Sequence, residues 1–255
     1  MKIGLKLWST NKNYINPAIE AYKNDFYDYI ELFYVPGSLD SLSLWKNIEI
    51  PFIIHAPHTT AGLNPASLSQ FDSNLKLAKE SFQFAEALKA DFVIFHPGMA
   101  GVPQETVRQI RSFGDTSKML IENKPYHNIA EPNLLCRGST PEEFKYILAE
   151  TNASFCLDMG HAICAANSLG RDKLEFIDEF ISLGPKMFHL SDNDLNSPID
   201  AHFNFGQGNY PLKLLFNKIP SDSMLSIETN KAYPDSLRDF EADVLYLRQL
   251  GEKIQ

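Results

Sequence analysis

Six apolar runs along this chain end in residues of the kind that bind metals. They are FIIHAPH, ending on His55 and His58; VIFHPG, on His96; LIEN, on Glu122; FCLDMGH, on Asp158 and His161; FHLSD, on His189 and Asp192; and LSIET, on Glu228. A further cluster, IDAHFNFGQG, adds Asp200 and His202 after the His189 run. Six of the seven histidines fall in this set, and only His127 does not. Side chains so far apart in sequence meet only if the runs are neighbouring parallel strands whose carboxyl ends point at one place.

The spacing between the runs supports that arrangement. Strands are predicted at 2–7, 28–34, 52–55, 91–96, 118–123, 153–158, 186–191 and 223–229, each short, apolar and bounded by polar, Gly or Pro residues, as buried parallel strands are. Helical patterns lie between them, near 14–24, 72–89, 103–113, 141–150, 171–183, 210–217 and 235–250. The clearest is 72–89, where Leu75, Leu77, Ala78, Phe82, Ala85 and Leu88 recur near the 3.6-residue period. Asp72, Thr140 and Asp235 are expected N-caps. PGSLDSLSLWK, after the second strand, carries the faintest helical pattern. Eight strands alternating with helices predict an α/β chain folded as one (β/α)8 TIM barrel domain over residues 1–255. An open doubly wound sheet would gather ligands mainly at one switch point, whereas here they end strands three through eight.

The composition narrows the function classes. The chain has 255 residues, 44% of them hydrophobic, enough for one full core. A formal charge of -9 argues against unselective nucleic-acid binding, although bound cations would offset carboxylates locally. Cys136, Cys156 and Cys164 form no disulfide framework, the N-terminus MKIGLKLWST lacks a signal-peptide pattern, and no run is long enough to span a membrane. A cytoplasmic location is expected. Cys156 lies inside a strand with no evident basic partner, so a thiol nucleophile is not expected. The glycines of FNFGQGNY do not follow a nucleotide-binding layout and are read as turn residues.

Carboxylates mixed with imidazoles suit zinc, manganese or a similar divalent ion. Glu122, Asp158, His189 and Glu228 come from strands five to eight and would form one site. His161, Asp200 and His202 would form a second; in Asp-x-His, two side chains share a face if the segment is extended. His96 would share a further ion with Glu122. Taken singly, His55, His58, Asp192 and Asp194 read as hydrogen-bonded structural groups, and His127 as plain surface. The joint pattern outweighs that plainer reading for the larger set, because several buried carboxylates without cations are costly.

The motifs HAP, FHPG, IEN, LDMGHA, HLSDND, DAHFNFGQG and IET together resemble the xylose-isomerase-like TIM barrel superfamily (AP endonuclease family 2), which holds endonuclease IV and many sugar isomerases and epimerases. The resemblance spans roughly residues 50 to 230. It implies a three-zinc cluster in which Glu122 bridges ions, with His96, Asp158, His161, His189, Asp200, His202 and Glu228 as further ligands. The remaining ligand position falls near LNPAS, where this chain has Asn64, which leaves that site short of a ligand unless Asn64, His58 or His55 substitutes. That reading implies a hydrolase cutting DNA at abasic sites with metal-activated hydroxide, holding two or three ions, zinc first and Mn or Mg as alternatives.

LDMGHA and HLSDND resemble the sugar enzymes more closely. The alternative implied is an isomerase or epimerase of a small sugar or sugar phosphate. One ion would then sit on Glu122, Asp158, His189 and Glu228, Glu122 and Glu228 would shuttle the proton, and His161 would meet the substrate. His55, His58 and Asn64 are candidate substrate-binding residues, and Trp8, Phe33, His58 and Phe203 candidate pocket walls. Lys6, Lys12, Lys124, Arg137 and Lys231 are the cations available to a DNA backbone, and their scarcity weighs against DNA. Segments 35–49 and 124–139 are expected to shape the mouth. A non-catalytic barrel ranks last, because carboxylates gathered at the catalytic face call for chemistry.

Overall fold

In the computed structural model, which describes residues 1–128 and 133–252, eight parallel strands close into a barrel in sequence order. They are β1 (Lys2–Trp8), β2 (Tyr29–Phe33), β3 (Phe52–His55), β4 (Val93–Phe95), β5 (Met119–Glu122), β6 (Ser154–Asp158), β7 (Met187–Leu190) and β8 (Met224–Ile227), with β8 pairing back onto β1. Each lies within the range expected from sequence or one residue beyond it. The helices are α1 (Ile15–Lys23), α2 (Leu42–Trp45), α3 (Phe71–Leu88), α4 (Pro103–Phe113), α5 (Pro141–Thr151), α6 (Met159–Leu169), α7 (Lys173–Ile181), α8 (Leu212–Asn217) and α9 (Arg238–Glu252). No helix among the described residues is long and apolar enough to cross a membrane.

Alternation along the strands divides the core in two. One set of residues, among them Leu5, Leu7, Ile30, Leu32, Ile54, Phe95, Ile121, Leu157, Phe188 and Ile227, faces outward and packs under the helices. The other set faces the barrel axis. Its lower layer is a separate apolar cluster of Tyr29, Ile53, Ile94, Leu120, Cys156 and Met187. Tyr29 also hydrogen-bonds Ser226 at 3.0 Å. Gly4 completes this floor, because a Cβ there would lie 2.4 Å from the Tyr29 ring.

Two residues further along each strand the axis-facing positions turn polar. Gly4 gives way to Lys6, Tyr29 to Glu31, Ile53 to His55, Ile94 to His96, Leu120 to Glu122, Cys156 to Asp158, Met187 to His189 and Ser226 to Glu228. At four strand pairs the polar residue of one strand stands beside the floor residue of the next: Glu31 with Ile53, His55 with Ile94, Glu122 with Cys156 and His189 with Ser226. Those four steps of two give the stagger that an eight-stranded barrel requires.

Several local expectations are corrected. α3 starts at Phe71 after Gln70, so Asp72 lies inside the first turn instead of capping it. Thr140 does cap α5, accepting from Glu143 N at 3.3 Å. α9 begins at Arg238, whose N–H donates to Ser236 Oγ, three residues beyond Asp235. α6 had no sequence signal, because residues 159–166 are buried on every side and show no amphipathic period. Segment 35–49 contributes no residue to the cavity lining; Trp45 anchors it, its Nε1 donating to Ser9 O at 2.8 Å. Of segment 124–139, residues 129–132 lie outside the described residues; Lys124, Pro125, Asn128 and Cys136 line the cavity. His127 is half-buried against Tyr126 and is not plain surface.

Candidate metal centre

The polar ring opens into a cavity of about 790 Å³ at the carboxyl ends of the strands. Glu122, at the end of β5, is its hub. Its Oε2 lies 3.0 Å from His55 Nε2 and 3.1 Å from His96 Nε2, and its Oε1 lies 3.1 Å from His161 Nδ1. His189 Nδ1 lies 2.7 Å from Glu228 Oε1, 3.5 Å from Glu122 Oε2 and 3.9 Å from Asp158 Oδ2. Asp200 Oδ2 lies 2.7 Å from His202 Nε2 and 3.4 Å from His161 Nε2. The fold thus brings together all eight residues expected to hold ions, and His55 joins His96 and Glu122 in a three-ligand group.

Backbone placement explains this convergence. His55, Glu122 and Asp158 close their strands, and His96 and Glu228 follow theirs by one residue. His161 stands in the first turn of α6, where Asp158 Oδ1 accepts from His161 N at 2.6 Å. Asn123 clamps the same corner. It donates to Asp158 O at 2.9 Å and accepts from Asp158 N at 2.7 Å. Asp200 and His202 meet as expected, but not on an extended segment: His202 has φ 52°, in the left-handed region.

The ring nitrogens are committed in a consistent way. His55 Nδ1 donates to Ala56 O at 2.7 Å, His161 Nδ1 to Asn123 O at 2.9 Å and His202 Nδ1 to Glu228 O at 2.7 Å, since a carbonyl can only accept. Each of these rings therefore turns its other nitrogen, an acceptor when neutral, toward a carboxylate. Two acceptors about 3 Å apart need a proton or a cation between them. His96 makes the point without a proton. Both its ring nitrogens and Asp200 Oδ1 are buried and make no aligned hydrogen bond among the described residues. The donor set and these unsatisfied atoms fit a divalent ion.

Charge crowding acts in the same direction. Burial raises the Asp158 carboxyl to about 6. Burial also opposes charge on His161 and His202, yet Asp158 and Asp200 outweigh it and lift them to about 10 and about 9. Glu122 is buried too, but His96 and His189 beside it hold it well below the usual carboxylate range.

Two expected site residues behave differently. Asn64 is spent on backbone: its Oδ1 accepts from Met99 N at 2.9 Å and Ala66 N at 3.3 Å, and its Nδ2 donates to Met99 O. It braces the loop after β4 and does not line the cavity, which corrects its expected contact with substrate. Asp192 accepts from Gly206, Gly208 and Tyr210 N–H groups at 2.8, 3.0 and 3.0 Å, so the glycine-rich loop folds around it as turn residues. Asp194 accepts from Asn196 N. His58 lines the cavity over Phe33, and burial followed by the charge of Lys124 lowers its imidazole to about 3. Trp8 and Phe33 are wall residues; Phe203 is not, its backbone pairing with Asp192.

Sequence reasoning missed Glu31. It is fully buried on β2, and the signal was present as the one charged residue inside the apolar run YIELF. Lys6, read as a surface cation, instead turns into the ring, where it hydrogen-bonds Glu228 and lies 3.1 Å from Glu31 Oε1.

A family model for the xylose isomerase-like TIM barrel matches residues 27–250. This chain belongs to the xylose isomerase-like TIM barrel family. It is 33% identical over 192 residues to the probable endonuclease 4 of Thermoplasma volcanium, a match covering 68% of this chain and 64% of that protein. Two solved structures share the fold at 21% identity each. A D-tagatose 3-epimerase-like protein superposes with a TM-score of 0.72, covering 100% of this chain and 98% of its own. Endonuclease IV from Thermus thermophilus gives 0.71, covering 99% and 100%. The proteins this chain resembles thus include endonucleases by name and an epimerase-like protein that shares its fold.

Proposed function

We propose that this protein is a phosphoester hydrolase of the endonuclease IV kind, acting on abasic DNA with two or three divalent ions, zinc foremost. The observation that carries this reading is Glu122, whose Oε2 lies 3.0 and 3.1 Å from His55 and His96 on one side and 3.5 Å from His189, which stands with Asp158 and Glu228, on the other. A carboxylate facing ligands on both sides suits a bridge between ions, and a one-ion isomerase has no use for His96, Asp200 and His202. Divalent ions clustered in this way activate water and stabilise the charge of phosphoester cleavage.

The remaining chemistry belongs to the chain. Glu122, Asp158, His189 and Glu228 would hold one ion, His161, Asp200 and His202 another, and His96 with His55 the far side of Glu122. Lys124 and Lys231 line the cavity and offer ammonium groups to phosphate oxygens. Trp8, 54% exposed at the rim, offers a face for a base or sugar ring.

The cavity volume supports a second reading. About 790 Å³ suits a small ligand, as a sugar isomerase or epimerase with one ion would require. Stripping the protein with chelator, reloading it with zinc or manganese and counting ions separates the two. Two or three ions with incision of an abasic-site duplex support the hydrolase. A single ion with no incision sinks it, and turnover of an aldose or ketose then supports the isomerase. His202→Ala should cripple the hydrolase and spare most of an isomerase's activity.

A further inference from the structure

Three ligand histidines, His55, His161 and His202, are each held by a backbone carbonyl on one ring nitrogen, which leaves the other nitrogen facing the cavity carboxylates. His189 follows a different plan. Its Nδ1 faces Glu228, Glu122 and Asp158, while its Nε2 meets no carbonyl and lies 2.9 Å from Glu31 Oε2, off the line of an ideal hydrogen bond. Both partners are fully buried. Glu31 rises from β2, across the barrel axis from β7, and Lys6 of β1 touches its second oxygen at 3.1 Å. Glu31, His189 and Glu228 also lie close enough to hold an ion, but Lys6 already contacts the carboxylates of that group.

We propose that Glu31 is a positioning residue for His189, resting on the metal-centre reading above: its carboxylate accepts a hydrogen bond from Nε2–H and so fixes the tautomer that presents Nδ1 to the ion that Glu122, Asp158 and Glu228 would also hold. Lys6 secures the arrangement, holding Glu31 by its second oxygen and balancing its charge while it hydrogen-bonds Glu228. A ligand histidine backed by a carboxylate is a more basic and better oriented donor than an unsupported one.

The test uses the full chain, stripped of metal and titrated with Zn²⁺ against a chromophoric chelator, then with Co²⁺ as a spectroscopic reporter. Glu31→Gln keeps the size and removes the charge. One ion should bind roughly 10- to 100-fold more weakly, with the others unchanged and the Co²⁺ absorption of that ion shifted. Every ion binding within about twofold of wild type, with an unaltered Co²⁺ spectrum, would overturn the proposal, and so would equal weakening of all ions. Should Glu31→Gln fail to fold, Glu31→Asp withdraws the carboxylate by one methylene. It should weaken the same ion about tenfold, and wild-type affinity in it overturns the proposal equally. A wild-type chain that takes up no divalent ion would sink the metal-centre reading itself, a separate outcome.

Discussion

The two layers inside the barrel are built on the same eight strands, two residues apart, yet they obey opposite rules. The floor of Tyr29, Ile53, Ile94, Leu120, Cys156 and Met187 is apolar and close-packed, with glycine on β1 because the Tyr29 ring fills the space a side chain would need. The ring above it, from Lys6 round to Glu228, has no aliphatic member and keeps buried nitrogen and oxygen atoms unsatisfied. Neighbours in space with the same backbone therefore divide the work. The floor supplies stability by burying apolar surface, and the ring gives some of it up to hold a cation-hungry site in place.

The largest effect expected from that division is in activity. Glu122→Ala should lower kcat/KM by at least about 10³-fold, because it removes the hub through which His55, His96 and His161 meet. The thermal midpoint of the metal-free protein should change little, since a buried charge leaves with the side chain. Steady-state kinetics and a melting curve on one preparation check both halves. Retained turnover would move the chemistry away from the ring. Leu120→Ala, two residues earlier on β5, should do the reverse. Leu120 is fully buried, and its loss should cost about 2–5 kcal/mol of stability while the folded fraction keeps its activity. Denaturant titration reads this directly, and a comparable loss of kcat in folded protein would mean that the two layers are not separable.

Gly4→Ala tests the floor from the other side. The added Cβ would meet Tyr29 Cζ at 2.4 Å, and Tyr29 is itself enclosed by Ser226 and its neighbours. Overpacking of this kind should cost about 1–3 kcal/mol. Pairing it with Tyr29→Phe, which removes the nearby hydroxyl oxygen, should recover part of that loss. No recovery would indicate that the backbone of β1 moves instead.

The floor and the strands were legible in sequence because parallel strands read as short apolar runs, and all eight lie where those runs lie. The ring was legible wherever a ligand ended a run, as Glu122, Asp158 and Glu228 do. Glu31 escaped because it sits inside its run, one residue from an apolar neighbour on each side, and only the strand register shows that it shares a level with Lys6. Asn64 misled for a different reason. The family resemblance put it at a ligand position, as a departure from the expected histidine, but its amide is claimed by Met99 and Ala66 backbone that a linear reading cannot see. α6 was invisible because a helix buried on all sides carries no period.

Cysteine reactivity gives the smallest effect and the finest resolution between the layers. All three thiols are buried, but Cys136 borders the cavity whereas Cys156 is part of the floor. Burial pushes the Cys156 thiol up to about 12 and raises Cys164 and Cys136 as well, so thiolate is scarce at all three near neutral pH. Iodoacetamide at pH 8 should leave Cys156 and Cys164 unmodified in the native chain and reach Cys136 slowly, while denaturant exposes all three to rapid labelling. Mass spectrometry of digests after timed quenching assigns each site. Labelling of Cys156 at the rate of Cys136 would mean that the floor opens as readily as the ring, and the contrast between a rigid apolar layer and an accessible polar one would fail at the strand where Cys156 and Asp158 stand two residues apart.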